Sequence, residues 1–389
     1  MSSDLLQSAE HREFRAAVAA FADAEIAPHA ERWDREHHFP LEAVRKMGAM
    51  GLFGLNAPEA YGGSGDFTSL CIAIEELGRA DQSVGITLEA GVGLGINPIA
   101  AFGTDEQKAR WLPDLIAGRA LAGFGLTEAE AGSDAGATRT RAELVDGEWV
   151  INGGKQFITN SGTPITSVVT VTARTGTRED GRAELSTIMV PSGTPGFTVE
   201  PAYRKLGWYA SDTHPLTFTD ARVSEDHLLG TRGRGFAQFL ATLDDGRVAI
   251  SALALGCIRA CRDLAVAHAG QRTTFGVPIG AKQGVAFQLA DLDAMAHTAH
   301  TLVYSAARMK DAGADAAAFK RAAAITKLQT TEMAVTATRI ATQVFGGYGF
   351  MEEYPVARFY RDAKILEIGE GTSEVQRLLI ARGLGLPVE

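Results

Sequence analysis

The stretch Trp149-Val150-Ile151-Asn152-Gly153-Gly154-Lys155-Gln156-Phe157-Ile158-Thr159-Asn160 decides the architecture of this chain. β-Branched and aromatic residues stand on both sides of Asn152-Gly153-Gly154, and such side chains suit a pleated, half-buried surface. The same composition recurs in Val168–Thr172, Leu185–Val190, Phe197–Val199 and Leu216–Thr219, with Gly, Pro, Asn and Asp between the runs. That pattern predicts a small antiparallel β unit over residues 123–228. The polar run Arg174–Glu184 reads as a surface loop within it.

On either side the period changes. Before residue 123, Phe14, Val18, Phe21 and Ala22 recur at helical spacing, and Pro28 and Pro40 mark breaks. Further helices are predicted at 41–50, 68–79 and 105–117. The stretch Gly91-Val92-Gly93-Leu94-Gly95 is unusual for a helix, because each Gly there costs about 1 kcal/mol relative to Ala. It is either a loop or a backbone that something approaches closely. After residue 228 the chain is Ala-rich, with helices predicted near 234–270, 283–311, 315–345 and 373–383, long enough to run the length of a bundle. The fold class is therefore α+β: an all-α region 1–122, a β region 123–228 and an α-helical region 229–389. No βαβ alternation occurs and no G-x-G-x-x-G follows a strand, which excludes a Rossmann nucleotide site.

Bulk properties narrow the function. The net charge of −10 argues against a nucleic-acid partner, which needs a basic face. Met1-Ser2-Ser3-Asp4 lacks the basic-then-apolar design of a signal peptide. No apolar run approaches the ~20 residues of a membrane span. Cys71, Cys257 and Cys261 form no disulfide framework, and a Cys-x3-Cys pair without further ligands is a poor metal site. These features predict a reduced, cytoplasmic protein without a metal.

Chemistry concentrates in Arg361-Asp362-Ala363-Lys364-Ile365-Leu366-Glu367-Ile368-Gly369-Glu370-Gly371-Thr372-Ser373-Glu374. Glu370 lies between two glycines, which let a backbone pass close to a ligand. A carboxylate pressed into an apolar pocket has a raised pKa and becomes a useful base near neutrality. The alternative is a helix N-terminus, with Ser373 and Gln376 as a capping box and Glu370 as a favourable dipole neighbour. Arg361-Asp362 reads as a structural ion pair, His37-His38 as solvated loop and His214 as a satisfied residue of the sheet.

Six motifs stand in register on this frame: Phe102-Gly103-Thr104 with Gln107-Lys108 and Trp111-Leu112-Pro113; Gly125-Leu126-Thr127-Glu128-Ala129-Glu130-Ala131-Gly132-Ser133-Asp134; Asn152–Asn160; Arg272-Thr273-Thr274-Phe275-Gly276 with Gln283; Gln343-Val344-Phe345-Gly346-Gly347-Tyr348-Gly349; and the Glu370 segment. Together they resemble the acyl-CoA dehydrogenase family of flavoproteins, over residues 10–385. The resemblance implies an N-terminal helical domain, a middle antiparallel β-barrel and a C-terminal four-helix bundle. It implies a homotetramer with one FAD per subunit and electron-transferring flavoprotein as electron acceptor. It makes Glu370 the base that takes the α-proton of an acyl-CoA. It places Leu126, Thr127, Phe157 and Thr159 on the flavin ring, and Gly132 and Ser133 near the pyrophosphate or substrate entrance. Arg272, Phe275 and Gln283 would lie along the cofactor. Gln343, Gly346 and Gly347 would meet its adenosine end from an adjoining subunit, and Thr372 and Glu374 would complete the site. Ser133, Asp244, Arg247 and Gly371 would contact substrate, the Asp244–Arg247 pair alternatively being a helix-start ion pair.

Departures from the family pattern are specific. Some relatives carry the base just before the arginine of Leu243-Asp244-Asp245-Gly246-Arg247, where this chain has Gly246. Phe157 stands where many relatives have Trp, Ala129 where Pro is usual, and Gly369 where several have an aromatic residue. The absence of Arg or Lys between Arg79 and Lys108 disfavours a dicarboxylic substrate. Small residues at Ala90, Gly91 and Gly93 beside Leu94 predict room for a medium or branched acyl chain. Alternatives on the same fold are an acyl-carrier-protein-linked dehydrogenase and a flavin monooxygenase; a non-catalytic thioester-binding protein is a fourth reading.

Overall fold

A computed structural model describes residues 6–388; the Met1–Asp4 segment lies outside them. The chain runs helices, then sheet, then helices. The first region holds α1 (Ala9–Phe21), α2 (Ala30–Glu36), α3 (Leu41–Ala49), α4 (Phe67–Ala80), α5 (Gln82–Glu89), α6 (Asn97–Phe102) and α7 (Asp105–Ile116). Local chemistry starts them. Ser8 and Thr104 each accept the N3 backbone N–H of their helix, and the N3 side chains His11 and Gln107 reciprocate.

The Gly91–Gly95 stretch is helical, not a loop. A π-helical segment, Ala90–Ile96, joins α5 to α6. Close approach explains two of its glycines: a Cβ on Gly91 would lie 2.7 Å from Phe53, and one on Gly95 would lie 3.1 Å from the Ala122 carbonyl. The continuous run Gln82–Phe102 is thus 21 residues long with mean hydropathy 1.3, enough by length and composition to cross a membrane. Residue-by-residue scanning misses it because polar residues interrupt the apolar ones. Within the fold it is a core helix, 78% of that window being buried.

The sheet contains β1 (Leu121–Gly125), β2 (Arg141–Val145), β3 (Glu148–Thr159), β4 (Thr166–Thr177), β5 (Ala183–Pro191), β6 (Phe197–Val199), β7 (Thr213–Ser224) and β8 (Leu228–Leu229). Its order is β6-β7-β3-β2-β4-β5-β8, with β1 added beside β4. Most pairs are antiparallel, but β1 runs parallel to β4, so the sheet is mixed. β1 and β2 escape the sequence pattern, β1 because glycines dilute it. Inward residues of five strands, among them Ala142, Trp149, Val171, Ile188 and Phe218, share one core. The loop expected over Arg174–Glu184 is shorter, since β4 continues to Thr177 and β5 begins at Ala183.

The last region has α8 (Gly235–Gln271), a two-stranded hairpin of β9 (Thr273–Thr274) and β10 (Val277–Pro278), α9 (Gln283–Asp311), α10 (Ala316–Phe345), α11 (Pro355–Ala363) and α12 (Ser373–Gly383). α8 is the hub, packing on α4, α9 and α10. Glycines set its distance from α4: a Cβ on Gly256 would sit 2.4 Å from the Glu75 carbonyl. A buried ion network crosses the same contact, with Arg15 and Arg259 both bonded to Glu75 and Glu76.

Candidate active site

Glu370 sits in the turn between α11 and α12 with φ of 56°, a left-handed conformation that is uncommon for a non-glycine residue, and Gly371 follows at 88°. Two buried side chains hold this turn by its carbonyls. Lys327 Nζ donates to the Gly371 carbonyl at 2.7 Å, and Gln376 Nε2 donates to the carbonyls of Gly371 (2.8 Å) and Glu370 (3.2 Å). The sequence assigns neither residue a site role; its spacing makes Gln376 half of a capping box. The cap is instead Thr372, whose hydroxyl accepts from Val375 N–H.

The Glu370 residue is half-buried, yet its Oε2 is shut off from solvent and has no hydrogen-bond partner. Burial pushes the carboxyl up to about 7, against the lowering fields of Arg247 and Lys327. Gly246 on α8 makes the space: a Cβ there would lie 2.6 Å from Glu370 Oε2. A side chain at Gly246 and the carboxylate of Glu370 therefore compete for one volume. Arg247 is buried, pairs with Asp244 one turn away and points its field at Glu370. The pair lies inside α8 rather than at its start. Asp245 instead ties α8 to α9 through Lys310 at 2.8 Å.

Along the sheet edge, Leu126 is buried against Phe124 and Phe239, and the Thr127 carbonyl accepts from Gln156 N–H at 2.8 Å. Lys155 fixes this strip from beneath. Its fully buried Nζ donates to the Leu126 carbonyl (3.1 Å), Glu128 (2.7 Å) and Thr172 (2.9 Å). Burial brings the ammonium down to about 8, opposed by Glu128. Phe157 stands on β3 at φ 62°, 63% exposed, with Tyr203 as its ring neighbour. Half-buried Thr159 ends the same strand. Gly132 and Ser133 occupy an exposed loop, with nothing within 4 Å of a Cβ built on Gly132.

A second group lies on the helices. A cavity of ≈ 580 Å³ is lined by Arg272, Val344, Phe345, Gly346, Gly347 and Tyr348 among others, and by no residue of the large sheet. Arg272 caps α8 and faces the Tyr348 ring. Phe275 projects from the hairpin at 96% exposure, and Gln283, Gln343 and Glu374 are exposed. Arg272 and the Gly346-Gly347 pair thus belong to one place on one chain. Exposed aromatic faces, glycines that no atom crowds and an unblocked guanidinium suit a large planar cofactor with phosphates, so the residues present fit FAD.

Acyl space is more restricted than the small residues suggest. The room left by Gly91 and Gly95 is taken by Phe53 and Ala122. Beside Gly93 lies the carboxyl of Glu89, whose Oε1 would be 3.3 Å from a Cβ built there. Leu94 packs with Phe124, Leu126, Phe239 and Leu243, a turn before Gly246.

Other sequence expectations resolve simply. His214 bonds the Glu200 carbonyl (2.6 Å) and Asp212 (2.8 Å). Arg361 and Asp362 are not paired with each other: Arg361 bonds Asp34, and Asp362 accepts Trp208 N–H. His37 is exposed but stacks on Tyr209.

Family models for the N-terminal, middle and C-terminal domains of acyl-CoA dehydrogenases match residues 8–119, 123–221 and 233–385. The chain belongs to the acyl-CoA dehydrogenase family. It is 47% identical to a probable acyl-CoA dehydrogenase of Bacillus subtilis, over 96% of this chain and 98% of that protein. Butyryl-CoA dehydrogenase from Megasphaera elsdenii superposes with a TM-score of 0.93 at 38% identity, covering 98% of this chain and 99% of that one. An acyl-CoA dehydrogenase of Bacillus anthracis solved with FAD gives 0.90 at 31% identity, covering 97% and 67%. As a member of this family the chain is an FAD-dependent oxidoreductase acting on CH–CH donors.

Proposed function

We propose that the protein converts a saturated, short acyl-CoA to its trans-2-enoyl-CoA, with Glu370 taking the α-proton. The observation that carries this reading is the Glu370 carboxyl itself: its Oε2 shut off from solvent and unbonded, its pKa raised to about 7 and its space given by Gly246. Such a group accepts a proton near neutral pH without first breaking a protein hydrogen bond. Lys327 and Gln376 hold the carbonyls of Glu370 and Gly371 and so anchor the turn that carries the base; the Glu370 N–H, which no carbonyl among the described residues takes up, would donate to the thioester carbonyl as charge builds there. Arg247 and Lys327 keep enough positive field nearby for the carboxylate to form. Bound FAD supplies the acceptor for the hydride that leaves the β-carbon.

Leu126, Thr127, Phe157, Thr159, Gly132 and Ser133 would hold the flavin half of the cofactor, with Thr372 and Glu374 beside it. Arg272, Phe275, Gln283, Gln343, Gly346 and Gly347 would hold a phosphate and adenosine half. Since these halves line different parts of one chain, the site would be completed by a second copy in a homotetramer. Exposed Phe275, Phe287 and Phe350 support such an assembly. Asp244, Arg247, Ser133 and Gly371 would line the thioester and CoA path. Electron-transferring flavoprotein is the proposed oxidant of the reduced enzyme, and 1–122, 123–228 and 229–389 are the proposed domains.

The test is anaerobic titration of the FAD-loaded protein with saturated acyl-CoAs of graded length. Bleaching of the flavin's visible band, lost in Glu370→Gln, supports the reading. A flavin that no CoA ester reduces, but that an acyl-carrier-protein thioester does, would replace the substrate class and keep the base.

A further inference from the structure

Glu89 ends α5 where the helix widens into its π-helical segment. It is 0% exposed and neither carboxyl oxygen has a hydrogen-bond partner. Among the described residues this is singular. The other buried acids are each bonded: Glu75 and Glu76 to arginines, Glu128 to Lys155, Asp81 to Val84 N–H and Asp362 to Trp208 N–H. Glu89 has no such anchor, and the one charged group that acts on it is Glu370. Burial first, and then that like charge, push its pKa well up, which favours the protonated carboxyl, a hydrogen-bond donor.

Its surroundings are those of the acyl space. One turn on, Gly93 withholds the side chain that would cover the carboxyl: a Cβ there would meet Glu89 Oε1 at 3.3 Å and no other residue within 4 Å. The next residue, Leu94, belongs to the apolar wall of Phe124, Leu126, Phe239 and Leu243 that leads to Gly246 and Glu370. π-Helical segments inside α-helices recur at functional sites because they re-aim side chains.

We propose that Glu89 is a specificity-determining residue that donates a hydrogen bond to an oxygen on the acyl chain beyond the two reacting carbons, so that a hydroxy- or oxo-acyl thioester is preferred over the plain alkyl one. This rests on the acyl-CoA dehydrogenase reading above. A buried donor satisfied only by the right substrate discriminates far more strongly than an apolar pocket does against one methylene, because the wrong substrate leaves the donor unpaired.

The test compares pentanoyl-CoA with 4-oxopentanoyl-CoA, and hexanoyl-CoA with 5-hydroxyhexanoyl-CoA, in the FAD-loaded wild type, Glu89→Gln and Glu89→Leu. The readouts are kcat/KM with a dye acceptor and, separately from turnover, the Kd of each enoyl-CoA product. The expected result is a preference of at least about tenfold for an oxygen-bearing member in the wild type. Glu89→Leu should lose it, and Glu89→Gln should keep part of it because its amide still donates. If Glu89→Leu does not fold, Glu89→Met, with a similarly long flexible chain, carries the same comparison. Plain thioesters that reduce the flavin, with ratios that differ less than about threefold between the wild type and the apolar variant, would overturn the inference and leave the dehydrogenase reading standing. Failure of every thioester to reduce the wild-type flavin would overturn both.

Discussion

Two pairs of buried glutamates occupy this chain, and they have been given opposite surroundings. Glu75 and Glu76 lie within α4 and are gripped by Arg15 and Arg259, with Arg79 bonded to Glu76 and Tyr304 to Glu75. Burial raises Glu75, yet Arg15 and Arg259 overcome it and hold the carboxyl well below the usual range. Glu89 is as deeply enclosed and Glu370 is half-buried with its Oε2 shut off, but among the described residues no cation touches either carboxyl. Arg247 and Lys327 act on Glu370 through space only, and its carboxyl rises to about 7. Residue type is the same in both pairs, and each pair hides carboxyl oxygens from solvent. Direct guanidinium contact turns one into a structural rivet joining α1, α4, α8 and α9; its omission leaves Glu370 of the other pair able to exchange a proton near neutrality and favours a protonated Glu89.

The comparison can be broken in several places. Glu370→Gln should lower the rate of anaerobic flavin reduction by about 10³–10⁴-fold, the scale of a lost general base, with the fold intact by circular dichroism; near-normal reduction would end its role as base. Arg259→Met should act on the other pair, leaving Glu75 and Glu76 under-compensated at a cost of about 3–5 kcal/mol in chemical denaturation. The pH dependence of flavin reduction in that variant should match the wild type. Gly246→Ala should displace the Glu370 carboxylate and slow reduction by about 10²-fold, with little change in melting temperature.

Smaller effects sharpen it. The rate of flavin reduction should rise with pH through about 7 as Glu370 loses its proton. Stability should move the other way. The folded protein keeps this proton to about 7, whereas the unfolded chain releases it near pH ~4.3, so the Glu370 contribution to stability falls as pH rises across that window. Glu370→Gln should flatten that part of a melting-temperature series. Lys327→Met removes a lowering field and one carbonyl clamp. It should shift the rate profile to higher pH and reduce its plateau a few-fold, whereas Lys327→Arg should restore the position of the profile.

Most of the helical scaffold was legible from residue spacing. The three long helices after residue 228 lie within a residue or two of their expected bounds because Ala-rich periodic runs carry their own signal. β1 and β2 were not legible, since β1 holds glycines and is defined by a parallel partner far along the chain. For the site, Glu370 announced itself by its flanking glycines, and the motifs supplied the residues proposed to face the cofactor. Lys155, Lys327, Gln376 and Glu89 were missed. Each does its work through burial, and a lysine or glutamate in a sequence reads as surface until its surroundings are known. For Glu89 the available signal was a carboxylate on a helical run otherwise nearly free of charge, directly before the glycine-rich stretch.

The helical run Gln82–Phe102 has a consequence for how the chain is made. Part of its cover comes from α8, where Leu253 packs against Gly85, and against Gly78 of α4, and its carbonyl accepts from Gln82. In synthesis order the run leaves the ribosome first, and the whole β region must follow before α8 exists. Through that interval the nascent chain displays a segment with the length and hydropathy of a membrane span and lacks the α8 side of its cover. The C-terminal helices are therefore also the intramolecular chaperone of the N-terminal ones, and a message truncated before Gly235 would yield a product that aggregates or is degraded rather than a shorter working protein.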